Sequence, residues 1–167
     1  PKAEQAGFAQ QKGYKFILCM IDRATRKFYA EPLKTRTATE TRDAVLKMLG
    51  DAQATQTIKE MSMDSASEFL STEMRTMLQR LGPRDQDGYE TNQDGVVTHV
   101  KPPGRESRQD ISDLDSKMGI FSRALANIRR KQTPKTLAWY PYVQEAVTFV
   151  NKKRIRHGRA LGIAPDK

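Results

Sequence analysis

Between Tyr14 and Ile21 the chain runs through almost unbroken apolar side chains (YKFILCMI), the pattern of a buried central strand. Asp22 stands at its end. A turn over 23–27 leads to a second strand, Phe28–Leu33, in which Pro32 marks a strand end or an edge. Thr37 and Glu40 have the spacing of a capping box, which predicts a helix from Ala38 to Leu49 that stops at Gly50. Its buried stripe would hold Thr41, Val45, Met48 and Leu49. Thr57–Met63 is a weaker strand, interrupted by Lys59 and Glu60, and Asp64 follows it directly. Leu70, Met74, Met77, Leu78 and Leu81 have helical spacing, with Gly82 as the stop. The stretch 82–110 is polar, with four glycines and three prolines, and only Val96–Val100 within it reads as a strand. A loop of this length inside a domain is usually functional or mobile.

Ile111, Leu114, Met118, Phe121, Leu125 and Ile128 recur at helical offsets and predict an amphipathic helix. Thr133-Pro134 opens another, whose apolar side is Trp139, Tyr140, Val143, Val147 and Val150, and Pro141 should kink or delay it. The order strand, strand, helix, strand, helix, loop with strand, helix, helix predicts a mixed α/β domain. The expected organisation is a flexible segment 1–13, a core 14–152 with an insertion-like loop 82–110, and a basic tail 153–167.

At 167 residues the chain is one ordinary domain, and its start at Pro1 reads as a cut from something longer. No apolar run approaches a membrane span, and the polar opening is no signal peptide, so a soluble piece is expected. One cysteine, Cys19, excludes an internal disulfide or a zinc site built on several thiolates. The net charge of +9 is unevenly placed. Residues 1–122 carry 18 basic and 18 acidic side chains, whereas 123–159 carry ten basic ones against Glu145 alone. A one-signed surface attracts polyanions, with nucleic acid or an anionic membrane as candidates. The ordinary reading is a solvated helix face with a loose tail.

Two segments deliver an aspartate at the end of an apolar strand: Asp22 in FILCMID and Asp64 in IKEMSMD. If the strands are neighbours, both carboxylates converge at one sheet edge, where α/β folds place their sites. The amphipathic helix adds Asp115, which shares a stripe with Gly119, Ser122 and Arg129. Asp113 lies about 200° around that helix from Asp115 and should point to solvent, while Asp110 reads as a turn or cap and Ser112 as a possible N-cap. Three aspartates offer hard oxygen ligands, which suit Mg²⁺ or Mn²⁺. Two such ions about 4 Å apart can serve phosphodiester chemistry. Taken singly, each aspartate is also an ordinary turn or helix-start residue. His99 and His157 are isolated, and neither a G-x-S-x-G elbow nor a Gly-rich phosphate loop is present.

The segment FILCMIDRATRKFYAEPLKTRTATETRDAVL resembles the first catalytic segment of retroviral and LTR-retrotransposon integrase cores. MDSASEF resembles that family's Asp-Asn-Gly-x-Glu-Phe motif, with Ser65-Ala66 in place of Asn-Gly. Asn151, His157, Leu161, Gly162 and Pro165 match its closing Asn…His…Leu-Gly…Pro signature. The resemblance covers most of 14–167, through three motifs in the family's order. It implies a ribonuclease-H-like mixed sheet flanked by helices. It also implies a catalytic triad on two Mg²⁺ or Mn²⁺ ions, DNA as partner, and a homodimer or higher oligomer. Asp22 and Asp64 match the first two triad positions. The third would be Asp115, an Asp where the family has Glu, and Ser122 stands where the family has a DNA-contacting Lys. Arg123, Arg129, Arg130 and Lys131 would hold the phosphate backbone. Two alternatives stay open: an inactive integrase-derived domain that only binds nucleic acid or a protein partner, and a related DDE transposase or ribonuclease-H-like nuclease.

Overall fold

The computed structural model describes residues 11–53, 58, 60–81, 96–100, 108–132 and 136–152. The chain divides into two units, one of Pro1–Lys34 with Ile111–Lys167, the other of Thr35–Asp110. Gly82, Thr133-Pro134, His157 and the tail 153–167, along with most of the loop 82–110, lie outside the described residues.

In the first unit, strands β1 (Phe16–Ile21) and β2 (Phe28–Leu33) form an antiparallel hairpin with Phe16 opposite Leu33 and Ile21 opposite Phe28. The burial is the reverse of that expected from the apolar run. Phe16 is exposed and the rest of β1 is half-buried, while Phe28, Tyr29, Ala30 and Leu33 of β2 are buried. The reason is the position of the helices. Phe28 and Ala30 pack with Phe121, Ala124 and Leu125 of helix α3 (Arg108–Arg130), and with Val143, Ala146, Val147 and Val150 of helix α4 (Val143–Lys152). A 3₁₀ turn, Tyr140–Tyr142, carries Pro141 and precedes α4, so the proline delays the helix and does not kink it. Helix α3 starts at Arg108, so Asp110 and Ser112 lie inside its first turns and neither is its cap.

Antiparallel pairing alternates the direction of backbone groups. The Asp22 amide donates to the Lys27 carbonyl at 2.9 Å, so Phe28, Ala30 and Pro32 turn their backbone groups to the edge of β2 away from β1. That edge is closed from α4. Buried Asn151 accepts the Phe28 amide at 2.8 Å and donates to the Phe28 carbonyl at 2.9 Å. Two turns earlier, Gln144 donates to the Ala30 carbonyl at 2.9 Å and to the Glu31 carboxylate at 2.9 Å. Pro32 has no amide to leave unmet, which agrees with its reading as an edge marker.

In the second unit, strands β3 (Glu60–Met63) and β4 (Val97–Val100) pair in parallel, with helix α2 (Thr72–Arg80) falling between them in sequence. Helix α1 (Ala38–Gln53) buries Thr41, Val45, Met48 and Leu49 as expected, together with Ala44 and Ala52. Met74, Met77 and Leu78 give α2 its buried side, and Ser71 caps it by accepting the Met74 amide. Thr37 accepts the Glu40 amide at 3.4 Å, and the Glu40 carboxylate takes the Thr35 amide at 2.7 Å. The reciprocal half of the capping box thus reaches two residues further back.

Gly50 does not stop α1, which continues to Gln53 and buries Ala52. Burial of Ala52 outweighs the modest helix penalty of glycine. A Cβ at Gly50 would meet nothing within 4 Å. Gly50→Ala is therefore expected to stabilise the chain by about 0.5–1 kcal/mol. The midpoint of urea unfolding checks this.

Candidate active site

Asp22 and Asp64 each leave a strand, and each folds back on the chain in the same way. The Asp22 Oδ1 accepts the Ala24 amide at 2.9 Å, and its other oxygen accepts the Thr25 hydroxyl. The Asp64 Oδ1 accepts the Ala66 amide at 3.1 Å. These are Asx turns, the ordinary role for aspartate at a strand end. The turn bond at Asp64 uses one acceptor position of its carboxylate, since each oxygen can accept twice. Asp22 is half-buried and Asp64 is exposed. The donor set is oxygen only. Burial pushes the Cys19 thiol up to about 12, so it offers no thiolate at neutral pH to compete for the ion. Such a set fits a hard divalent cation. Within either unit, no three His, Cys, Asp or Glu side chains among the described residues are gathered closely enough to hold one.

Asp115 is exposed on α3, and Ser122 is exposed two turns on. A Cβ at Gly119 would meet nothing within 4 Å, so the glycine leaves open space on this stripe. Asp113 faces solvent as expected, and it has a partner there. It is half-exposed and paired with Arg26, a residue of the turn that Asp22 organises. Arg26 has φ of 62°, a left-handed conformation uncommon outside glycine. Arg123, Arg130 and Lys131 are exposed, and Arg123 and Arg130 share a helical face seven residues apart. Arg129 is half-buried, with its guanidinium 3.5 Å from the Leu137 carbonyl. Arg129 and Arg130, in the last turn of α3, also complement the helix dipole.

Sequence reasoning passed over Lys117. It is 2% exposed, and its Nζ has no hydrogen-bond partner among the described residues. A signal was present, because Lys117 lies three residues after Leu114 and four before Phe121, on the stripe that faces the core.

The Glu-Phe of MDSASEF has a structural job. Glu68 is almost buried and paired with Arg36, whose Nε donates to Oε1 at 2.6 Å. Burial pushes its carboxyl up, but its own backbone amide, Arg36 and Ser67 together outweigh this and hold it below the ordinary value of 4.5. A depressed carboxylate stabilises the fold above its unfolded pKa, and that contribution is lost as pH falls through the folded value. Stability should therefore decline below pH 4.5 more steeply in the parent than in Glu68→Gln. Urea midpoints across that acid range check it.

A scan against protein-family models and a search of curated proteins find no match for this chain. No helix of the described residues is long and apolar enough to cross a membrane.

Proposed function

We propose that the chain is the catalytic core of an integrase-like polynucleotidyl transferase with a ribonuclease-H-like fold, acting on DNA. The observation that carries this reading is the repeated presentation of an aspartate. Asp22 after β1 and Asp64 after β3 each leave a strand into the same Asx turn. The element order, strand pair, helix, strand, helix, strand and two helices, agrees with it. So does the sign of the charge on the end of α3.

Asp22 and Asp64 would hold the divalent ions, with Asp115 completing the site. When bound, the ions supply activation of the attacking oxygen and stabilisation of the leaving one. The chain's own part is positional. The Ala24 and Thr25 donors fix the Asp22 carboxylate, and the Ala66 amide fixes that of Asp64, before any substrate arrives. Arg123, Arg130 and Lys131 would fasten phosphates beyond the reacting bond, and Arg129 would join them on releasing the Leu137 carbonyl. The attack is in line, by water in end processing and by a DNA 3′-hydroxyl in strand transfer. A homodimer or larger assembly on the DNA belongs to this reading.

The test is strand transfer, or its reversal, on branched oligonucleotides with and without Mg²⁺ or Mn²⁺. Product that forms only with the ion supports the enzyme. DNA binding that is indifferent to the ion, with no product under any condition, favours a nucleic-acid-binding domain that has lost catalysis.

A further inference from the structure

We propose that Arg26 is a phosphate-binding residue held by Asp113 until nucleic acid arrives, and that the released Asp113 carboxylate then passes to the buried ammonium of Lys117. The inference rests on the nucleic-acid reading above and adds a site that the basic run on α3 does not include.

Three observations lead to it. The Arg26–Asp113 pair is open to solvent, with side chains 49% and 46% exposed, so a polyanion can compete for the guanidinium. An exposed pair of this kind contributes little to stability and is readily exchanged. Lys117, by contrast, is 2% exposed and its Nζ has no hydrogen-bond partner among the described residues. An unpaired ammonium in such a place is costly. The Arg26 guanidinium also lies near enough to repel the Lys117 ammonium.

The missing partner is one helical turn away. Asp113 and Lys117 stand four apart on α3, with the acid N-terminal to the base, the favourable order for a helical pair. Asp113 is within reach of Lys117 by spacing but is engaged by Arg26. Moving Arg26 out to a phosphate removes a repelling charge from Lys117 and frees the carboxylate it lacks. Both changes favour the bound state. Lys117 thus strengthens nucleic-acid binding without touching the nucleic acid.

The experiment measures binding of the full 167-residue chain to a mixed-sequence DNA duplex of about 20 base pairs, at about 50 to 200 mM salt. Arg26→Gln should lower the log–log salt slope by about 0.9, the signature of one lost phosphate contact. Lys117→Met should weaken binding about three- to tenfold without changing the slope, since no phosphate contact is lost, and should raise the thermal midpoint of the free chain. In an Asp113→Asn background, Lys117→Met should weaken binding by a clearly smaller factor, since only the repulsion by Arg26 is then relieved. An unchanged slope in Arg26→Gln overturns the exchange, as does an equal effect of Lys117→Met in both backgrounds. If Lys117→Met fails to fold, the Arg26→Gln slope still decides. A parent chain with no salt-dependent binding sinks the nucleic-acid reading and this inference together. A parent that binds, and loses slope when Arg129, Arg130 and Lys131 become Ala but not in Arg26→Gln, sinks only the exchange.

Discussion

Asp22→Asn and Asp64→Asn are each expected to lower Mg²⁺-dependent strand transfer at least about a hundredfold and to leave the fold in place. The two halves of that expectation have separate causes. Asparagine keeps the acceptor oxygen that takes the Ala24 amide in one turn and the Ala66 amide in the other, so each Asx turn survives. What it removes is the negative charge that would hold the ion. Unfolding midpoints within about 0.5 kcal/mol of the parent, measured on the same preparations, separate chemistry from folding. Asp115→Asn belongs in the series. It is exposed on α3, so its loss costs little stability, and any fall in activity reports on the site. Asp115→Glu restores the family's residue and should retain activity. Asp113→Asn is the contrast: its partner is Arg26, so it should alter DNA binding more than the chemical step. Full activity in either Asp22→Asn or Asp64→Asn removes that residue from the site.

Asn151→Ala is expected to destabilise the chain by about 2–4 kcal/mol, the largest effect on stability from any single polar side chain described above. Asn151 is 2% exposed and satisfies both the amide and the carbonyl of Phe28, itself fully buried. Truncation strands two buried backbone groups at once, and each costs about 1–3 kcal/mol when left unmet. Asn151→Asp is the sharper variant. It keeps the acceptor for the Phe28 amide but sets a carboxylate against the Phe28 carbonyl. It should match or exceed the alanine variant near neutral pH and recover part of the loss as the carboxyl protonates. Thermal midpoints across the acid range would show this. A loss below about 0.5 kcal/mol in the alanine variant would mean that water takes over both bonds.

Local pattern was enough for the kind and order of the elements and for the two strand-end aspartates, but not for every element's ends: the last helix starts at Val143, not near Thr133-Pro134. The stripe Thr41, Val45, Met48 and Leu49 is a repeat within one helix, and hydrophobic period reports such repeats directly. Gly50 shows where local rules lose: its cost as a helix residue is small enough for the burial of Ala52 to carry the helix through it. The burial of β1 and β2 was inverted because apolar content says how readily a strand is buried, not which strand the helices cover. The pairing of Arg26 with Asp113 and of Asn151 with Phe28 spans 87 and 123 residues. No spacing rule connects positions so far apart, so the clamp on β2 was legible only as one residue of the closing signature.

The closed edge of β2 also limits how copies of the hairpin can associate. Strand-by-strand growth into a fibre needs two open flanks on every molecule, one to receive and one to offer. Here one flank is taken by side-chain amides and a proline, so any pairing through the hairpin must use the β1 side. A contact in which two copies share that one side is self-complementary and ends with two chains. The side chains that hold α4 to the sheet therefore also act as a terminator, permitting a pair and stopping a polymer.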